Sequence, residues 1–312
     1  MATTTVRAVV LTHNRPDSAI RCVRSILGQR SVKCGALLFD NASSVAARDQ
    51  LRGAGLLGDP RVTYLCSGRN LGSSGGFRTA MEAARRGAEW LWVLDDDTEA
   101  DGDALKWLLA RTAGRGVVAV AGKKLWRDGA EQSHHCGRFS RWTGFCPLPA
   151  GSPGGEVDYS AFTGMLVSTA ALDLVGYPRS DFFIWSDDME FCFRLRTQGS
   201  LIFEPRAVFW HDEPRAAGGS RWAHRTDLDG YWKRLCGFRN YEYLMRRHAI
   251  GGVVRSPFRL ARKLAKVLLV EDEKAFRAKW LIRYYLDSYR SEFHNVEPDE
   301  WRRMAAAIRR NG

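Results

Sequence analysis

Three consecutive carboxylates, Asp95-Asp96-Asp97, follow the apolar run Trp90-Leu91-Trp92-Val93-Leu94, and a second acidic cluster stands at Asp187-Asp188-Met189-Glu190. Carboxylates this close repel one another unless a cation stands between them. A divalent metal bridging the carboxylates and a diphosphate meets that need, because hard cations take oxygen ligands and Mg2+ typically shares one or two carboxylates with substrate phosphates. The triplet also reads as a solvated acidic turn capping the next helix, since residues 98–103 are polar and acidic too. The second cluster has two readings as well. A carboxylate within hydrogen-bond reach of a hydroxyl can take its proton, and Ser186-Asp187-Asp188 followed by Glu190 favours a helix start by capping and macrodipole alone. The roles are compatible, because a helix start fixes the carboxylate's direction. His211 ends the apolar run Val208-Phe209-Trp210. A neutral imidazole there is a standard ligand beside a carboxylate-bound metal, and otherwise a structural histidine.

Such groups work only if the fold brings them to one edge. The first half of the chain alternates strand and helix patterns: strands at 6–12, 36–39, 62–65 and 90–94, with a helix after Pro16 carrying Ile20, Val23, Ile26 and Leu27 on one side. A glycine-rich loop at 68–76 opens another helix. This rhythm predicts a mostly parallel sheet with helices on both faces, and the triplet at the carboxyl end of the fourth strand, where open α/β sheets bind ligands. The pattern dissolves over 123–155, returns as a strand at 157–168 interrupted by Thr163-Gly164, and resumes with a helix from the second acidic cluster to Arg196. Short strands follow at 201–203 and 207–210, then a flexible stretch at 212–220. From Asp227 onward helical periodicity dominates.

The 312 residues suit one large α/β domain plus a smaller appendage, and 45% hydrophobic content is that of a globular protein. No signal-peptide pattern is visible, and no run of eighteen apolar residues occurs, which leads us to expect a cytoplasmic protein. Seven cysteines without a CxxC pair argue for a reducing compartment and against a cysteine zinc site or disulfide framework. The excess of 47 Lys+Arg over 35 Asp+Glu implies an anionic partner: nucleic acid, an acidic membrane surface or a phosphorylated substrate. Much of it lies late, in Arg255, Arg259, Arg262, Lys263 and Lys266 and in Arg302, Arg303, Arg309 and Arg310.

A dinucleotide fold would carry its glycines after the first strand, yet Thr12-His13-Asn14-Arg15 stands there and Gly28 is the first glycine. No GxxxxGK[ST] is present either. The loops after the four strands instead offer Asp40, Asn70, the amides of a glycine-rich turn and the acidic triplet, the makings of a nucleotide-diphosphate cradle.

In order, Val9-Val10-Leu11-Thr12-His13-Asn14-Arg15, Phe39-Asp40-Asn41-Ala42-Ser43, Asn70-Leu71-Gly72-Ser73-Ser74-Gly75-Gly76, Asp95-Asp96-Asp97, Asp187-Asp188 and Trp210-His211 resemble the family-2 inverting glycosyltransferases of GT-A fold, and among them most the bacterial UDP-galactofuranosyltransferases. The resemblance covers roughly residues 6–215, with Ser73 in place of a glycine of the loop. It implies a GT-A domain over 1–225, a mostly parallel central sheet with flanking helices, and a C-terminal helical region over 226–312, where Phe238-Arg239-Asn240-Tyr241 resembles an Arg-Asn element of the family. It further implies that Thr12, Asn14, Arg15, Asp40, Asn41, Asn70, Gly75 and Gly76 bind the nucleotide sugar, Asp40 touching the uridine. Asp95, Asp97 and His211 would hold a divalent cation, Mn2+ or Mg2+, with the histidine favouring Mn2+. Asp188, beside Asp187, would be the general base of a direct displacement at the anomeric carbon. Alternation along the chain sends Asp96 away from Asp95 and Asp97, towards the ribose or donor sugar.

Trp126, Trp142, Phe139 and Phe145 suit stacking on sugar faces, as does Trp185 beside the second acidic cluster, and we expect Trp142 and Trp185 at the acceptor. The expected partners are a UDP-sugar donor and a glycan or lipid-linked glycan acceptor; the cationic segment 255–270 reads either as an ordinary packed helix with a basic outer face or as a contact with the anionic inner face of a membrane. The alternatives are a dTDP-rhamnosyltransferase of the same fold and, from another class, a non-catalytic basic protein that binds nucleic acid. The acidic clusters speak against the latter, because they repel phosphates in the absence of a metal.

Overall fold

The computed structural model describes residues 4–215 and 226–311. The chain forms two compact units. The first is built from the described residues up to 139 together with 145–180 and 188–214; the second from 140–144, 181–187 and the described residues beyond 214. The domain boundary expected at 225/226 falls at the edge of residues outside the described ones, as does most of the stretch expected to be flexible at 212–220.

In the first unit β1 (Val6–Thr12), α1 (Pro16–Leu27), β2 (Gly35–Asp40), α2 (Val45–Gly53), β3 (Val62–Cys66), α3 (Gly72–Ala84) and β4 (Trp90–Asp95) alternate. Strands β3, β2, β1 and β4 lie side by side in that order, all parallel. Strands covered on both faces need continuous apolar runs, and Ala8, Val9 and Val10 are fully buried. Alternation sends Val9 and Leu11 into the cluster with Phe77, Ala80 and Met81 of α3, and Ala8 and Val10 into the one with Ala19, Val23 and Ile26 of α1. Helix α1 starts where Pro16 presets φ and Asp17 meets the positive end of the helix.

The glycine-rich stretch proves to be the first turn of α3 rather than a free loop. A Cβ on Gly76 would lie 2.5 Å from Leu11 Cδ1 and 3.4 Å from Asn41 Nδ2, so the glycine lets the helix settle onto β1. Gly76→Ala should therefore destabilise the protein by about 1–3 kcal/mol through overpacking. An unchanged urea midpoint would mean that the Leu11 side chain simply yields.

The remaining strands make the sheet mixed. They are β5 (Thr98–Ala100), β6 (Val117–Leu125), β7 (Cys136–Ser140), β8 (Gly144–Pro147), β9 (Gly155–Val157), β10 (Tyr159–Ser160), β11 (Met165–Ser168) and β12 (Ser200–His211), with α4 (Ala104–Thr112), α5 (Thr169–Val175) and α6 (Asp187–Leu195) among them. Beyond β4 the sheet continues β11, β6, β12, β5, and β9 also pairs with β12. Strand β11 runs antiparallel to both β4 and β6. The single strand expected at 157–168 is three short ones, because Gly164 turns the chain at φ 94° with the Phe209 ring where a side chain would stand. The two strands expected after residue 200 are one. Pro205 cannot donate to the ladder, and the register with β6 slips between Glu204 and Val208 while the strand continues. The region expected to be irregular at 123–155 holds β7 and β8, which form a small antiparallel sheet with β10.

The second unit is helical: α7 (Tyr231–His248), α8 (Gly252–Leu269), α9 (Lys274–Asp287) and α10 (Pro298–Asn311). Its core is aromatic, with Tyr231, Trp232, Trp280, Tyr284 and Trp301 buried together. No helix among the described residues is long and apolar enough to cross a membrane.

Candidate active site

Pairing of β5 with β12 sets the first feature of the site. Thr98 lies opposite His211, and the Asp212 amide donates to the Asp97 carbonyl at 3.0 Å. The turn after β4 is thus held beside the end of β12, and His211 Nε2 comes to 3.4 Å from Asp97 Oδ1. Gln132 decides what that distance means. Its amide nitrogen donates to the His211 carbonyl at 2.8 Å, so its oxygen, 2.7 Å from His211 Nδ1, must accept the ring proton. In the imidazolium, Nε2–H would donate to Asp97 Oδ1 at this distance; in the neutral ring the Nε2 lone pair faces that buried oxygen instead. Two acceptors at this separation call for a cation between them, and a carboxylate oxygen with an imidazole nitrogen is a donor set that fits Mn2+.

Arg15 holds the rest of the triplet. Nη2 lies 2.6 Å from Asp96 Oδ1 and Nη1 lies 2.6 Å from Asp97 Oδ2. Thr12 donates to Asp96 Oδ2 at 2.7 Å. Asp96, expected at the ribose or sugar, is instead buried with both oxygens engaged inside the protein. Burial pushes its carboxyl up to about 6 against the pull of Arg15. Asp97 is lowered: burial opposes this, but hydrogen bonding and charge from a protonated His211, together with Arg15, outweigh it. Asp95 ends β4 opposite Leu11, and its carbonyl accepts from the Cys22 thiol. It does not form a tight group of three with Asp97 and His211; among the described residues that arrangement belongs to His134, His135 and Glu213.

The loops after β1, β2 and β3 are tied by the asparagines picked out from sequence. Asn41 donates to Asn70 Oδ1 at 3.1 Å and to the Gly72 carbonyl at 3.0 Å, and accepts from the Leu71 amide at 2.8 Å. Asn14, in the left-handed region at φ 56°, accepts from the Ser44 amide while its own amide donates to Ser43. Asp40, expected at the uridine, is wholly buried and satisfied by the Ser43 amide at 2.7 Å and the Tyr64 hydroxyl at 2.5 Å. These residues build the loops. His13, part of the first motif but assigned no role from sequence, joins them: Nδ1 lies 2.9 Å from the Asn41 carbonyl, and Nε2 lies near the side-chain amides of Asn14 and Asn70.

The turn that leads into α6 is strained. Phe183, Trp185 and Ser186 have φ of 62°, 65° and 64°, a conformation that costs about 1–3 kcal/mol per residue and persists only when neighbours over-determine it. Asn240 does so, its amide nitrogen reaching the carbonyls of Phe182, Ile184 and Trp185 at 2.9, 3.1 and 2.8 Å. Asp187 is buried at the first residue of α6, and Asp188 Oδ1 accepts from the Met189 amide at 2.7 Å. Trp185 and Trp142 are exposed; Gly237 leaves room for the Trp185 ring, and the Trp142 carbonyl accepts from Arg255 at 2.6 Å.

Residues 8–174 match the model of Glycosyl transferase family 2. The chain belongs to this glycosyltransferase family. The matched span holds the loops and the triplet, whereas Asp187, Asp188 and His211 lie beyond it. The glycosyltransferase is 29% identical over 258 residues to galactofuranosyltransferase GlfT1 of Mycolicibacterium smegmatis, covering 78% of this chain and 83% of that one. It is 37% identical over 112 residues to GlfT1 of Mycobacterium tuberculosis, 35% of this chain and 36% of that one. Among solved structures it resembles GalNAc-T7 with UDP, GalNAc and Mn2+ at a TM-score of 0.61 and 14% identity, covering 99% of this chain and 58% of that one, somewhat over half its length. It also resembles the mannosyltransferase PcManGT from Pyrobaculum calidifontis in complex with GDP-Man and Mn2+, at 0.57 and 14% identity, covering 98% and 81%. These likenesses establish the GT-A fold.

Besides His13, which had no assigned role, this glycosyltransferase has two functional candidates that lie outside the motifs. Gln132, buried, orients His211 from a loop with no periodic signal. Lys124 is buried on β6, its ammonium donating to Ser160 at 2.9 Å. Burial lowers its pKa, and the only carboxylate among the charges that offset this is Asp188. A lysine in a strand otherwise reads as a solvated position, so only the packing reveals it.

Proposed function

We propose that the chain transfers galactofuranose from UDP-galactofuranose, with inversion and with a divalent cation, to a hydroxyl of a glycan acceptor. The observation that carries the metal-dependent part is the buried Asp97 carboxylate oxygen 3.4 Å from Nε2 of His211, whose Nδ1 is committed to Gln132, so that the neutral ring offers Nε2 as a ligand. The donor sugar rests on the similarity to GlfT1. In this reading Asp97 and His211 would hold the cation at the site of the nucleotide diphosphate. The chemistry such a cation supplies is neutralisation of the charge that builds on the departing diphosphate. Arg15 keeps Asp97 ionised and aimed, Asp96 holds Arg15, and the loops tied by Asn14, Asn41 and Asn70 present their backbone to the nucleotide. Asp188 accepts the proton of the attacking hydroxyl.

Thermal shift with Mn2+ and nucleotides tests the donor side. A ligand at a hundredfold excess over its Kd stabilises by about 2.7 kcal/mol, so UDP with Mn2+ should raise the melting temperature, and Asp97→Asn or His211→Ala should abolish the rise. Protection by dTDP but not UDP would favour the rhamnosyltransferase, and turnover with a panel of UDP- and dTDP-sugars then identifies the sugar.

Lys124 gives a separate expectation. Its folded pKa lies below the unfolded value of about 10.4, so its charge costs stability at neutral pH, a cost that fades as pH rises towards that value. Lys124→Met should therefore be at least as stable as the parent at pH 7. Loss of a cation that attracts Asp188 should also move the acid limb of the pH–rate profile upward, by on the order of one unit. A destabilised variant with an unmoved profile would make Lys124 a packing residue.

The exposed side of α8 supports contact with an anionic bilayer. Val254, Phe258 and Leu269 are 70%, 73% and 78% exposed, and Arg255, Arg262 and Lys263 are exposed on the same helix. Apolar side chains flanked by cations suit the headgroup boundary, each cation adding about 1 kcal/mol near an anionic surface. The protein should float with phosphatidylserine vesicles and not with neutral ones, and Phe258→Glu should prevent it.

A further inference from the structure

We propose that His134, His135 and Glu213 form a second metal site, of the kind that takes Zn2+, with a coordination position left open to solvent. The Nε2 atoms of His134 and His135 lie 2.8 and 3.0 Å from one oxygen, Glu213 Oε2, and the three ligating atoms are all within 4.8 Å of one another. Ligands around a tetrahedral zinc, with bonds of about 2.0–2.2 Å, stand roughly 3.3 Å apart, so each histidine need move from Glu213 Oε2 by only a few tenths of an ångström. Two imidazole nitrogens and a carboxylate select a late first-row ion over Mg2+. To ligate, each Nε2 gives up to solvent any proton it shares with Glu213, the neutral ring keeping its remaining proton on Nδ1.

Both arms of the site are anchored. The histidines occupy a short helical turn, and the Ala161 amide donates to the His135 carbonyl at 2.9 Å. The Trp126 indole donates to the Glu213 carbonyl at 3.1 Å, and Arg127 grips Asp212 next door. Half-exposed His134 leaves water access. The site is separate from the Asp97–His211 pair: the His135 and His211 rings meet edge-on at 4.9 Å, but their Nε2 atoms face different carboxylates. An ion here ties the 133–135 turn to the chain leaving β12, two residues after His211.

The test uses the full chain, stripped with chelator and free of nucleotide, titrated with Zn2+ for stoichiometry and with Co2+ for its visible d–d absorption. Even outer partners of metal ligands are worth about 10–100-fold in affinity, so Glu213→Gln and the double variant His134→Ala/His135→Ala should each weaken binding by at least that much. Asp97→Asn should keep the Co2+ spectrum. Circular dichroism of Glu213→Gln, nearly isosteric and on a partly exposed side chain, separates loss of a ligand from loss of fold. No tight uptake by the parent protein, uptake untouched by Glu213→Gln, or a spectrum lost in Asp97→Asn as well would each overturn the proposal. Because no nucleotide or turnover enters the readout, its failure leaves the transferase reading standing.

Discussion

Asp188→Asn should lower turnover by about 10²–10⁴-fold, the usual contribution of a positioned general base, while UDP and Mn2+ should still protect the protein against heat. The substitution is nearly isosteric, and an asparagine side-chain oxygen can still accept from the Met189 amide as Oδ1 does now at 2.7 Å, so the start of α6 should survive. What is lost is the ability to take a proton from an acceptor hydroxyl. Asp187, buried at the preceding position, provides the comparison: its asparagine variant should lose less turnover if it supports the helix start. The base assignment fails if Asp188→Asn transfers sugar at the parent rate, and a variant that also loses UDP protection would point to donor binding instead.

Arg239→Met destabilises the helical unit by about 3–5 kcal/mol, the cost of breaking a buried, hydrogen-bonded charge by removing one partner. The guanidinium is fully buried and its donors are spread over many acceptors. Nε donates to Asn240 Oδ1 at 3.0 Å, Nη1 to Asn295 Oδ1 at 2.9 Å and the His294 carbonyl at 3.3 Å, and Nη2 to the carbonyls of Asp181 and Phe182 at 3.1 and 3.2 Å. Asp287 supplies the counter-charge at 3.5 Å, and the Phe293 ring lies 4.4 Å below the cation. Methionine fills much of the volume but removes the charged donor from all of them; the Phe182 and Asp181 carbonyls keep Asn240 and Asn295, and Asp287 keeps the His294 amide, while the buried counter-charge is lost. Urea unfolding reads the loss directly. Since Asn240 and Arg239 together hold the strained turn before α6, Asn240→Ala should reduce turnover more than stability. Equal and small effects of both variants would mean that the turn holds its left-handed residues by other contacts.

Much of this protein is legible in its sequence because the signals are local. The apolar runs at β1, β2 and β4 can only be strands buried on both faces, and the carboxylates that follow β4 therefore lie at a sheet edge. Pro16, the glycines of α3 and the order of the acidic and histidine motifs likewise need no partner to be read, and the family match spans those up to the triplet.

What the sequence alone could not determine depends on pairs far apart in the chain. The triplet looks uniform as a string, yet β1, the loop after it and β12 give its members different surroundings: Asp96 goes inward to Thr12 and Arg15, and Asp97 goes to His211. Asp40 looks free in the sequence because Tyr64, on the next strand, satisfies it only once β2 and β3 pair. Gln132 becomes the group that aims His211 only after the chain has returned along β12. The antiparallel course of β11 and the unbroken β12 are decided by one turn at Gly164 and one bulge at Pro205, small local irregularities whose outcome the surrounding sheet selects. Periodicity and composition thus determined the layers and the edge at which the chemistry lies. Tertiary pairing decided which carboxylate faces a histidine, which is locked by an arginine and which is buried, because desolvation and hydrogen bonding act through distance in space and not along the chain.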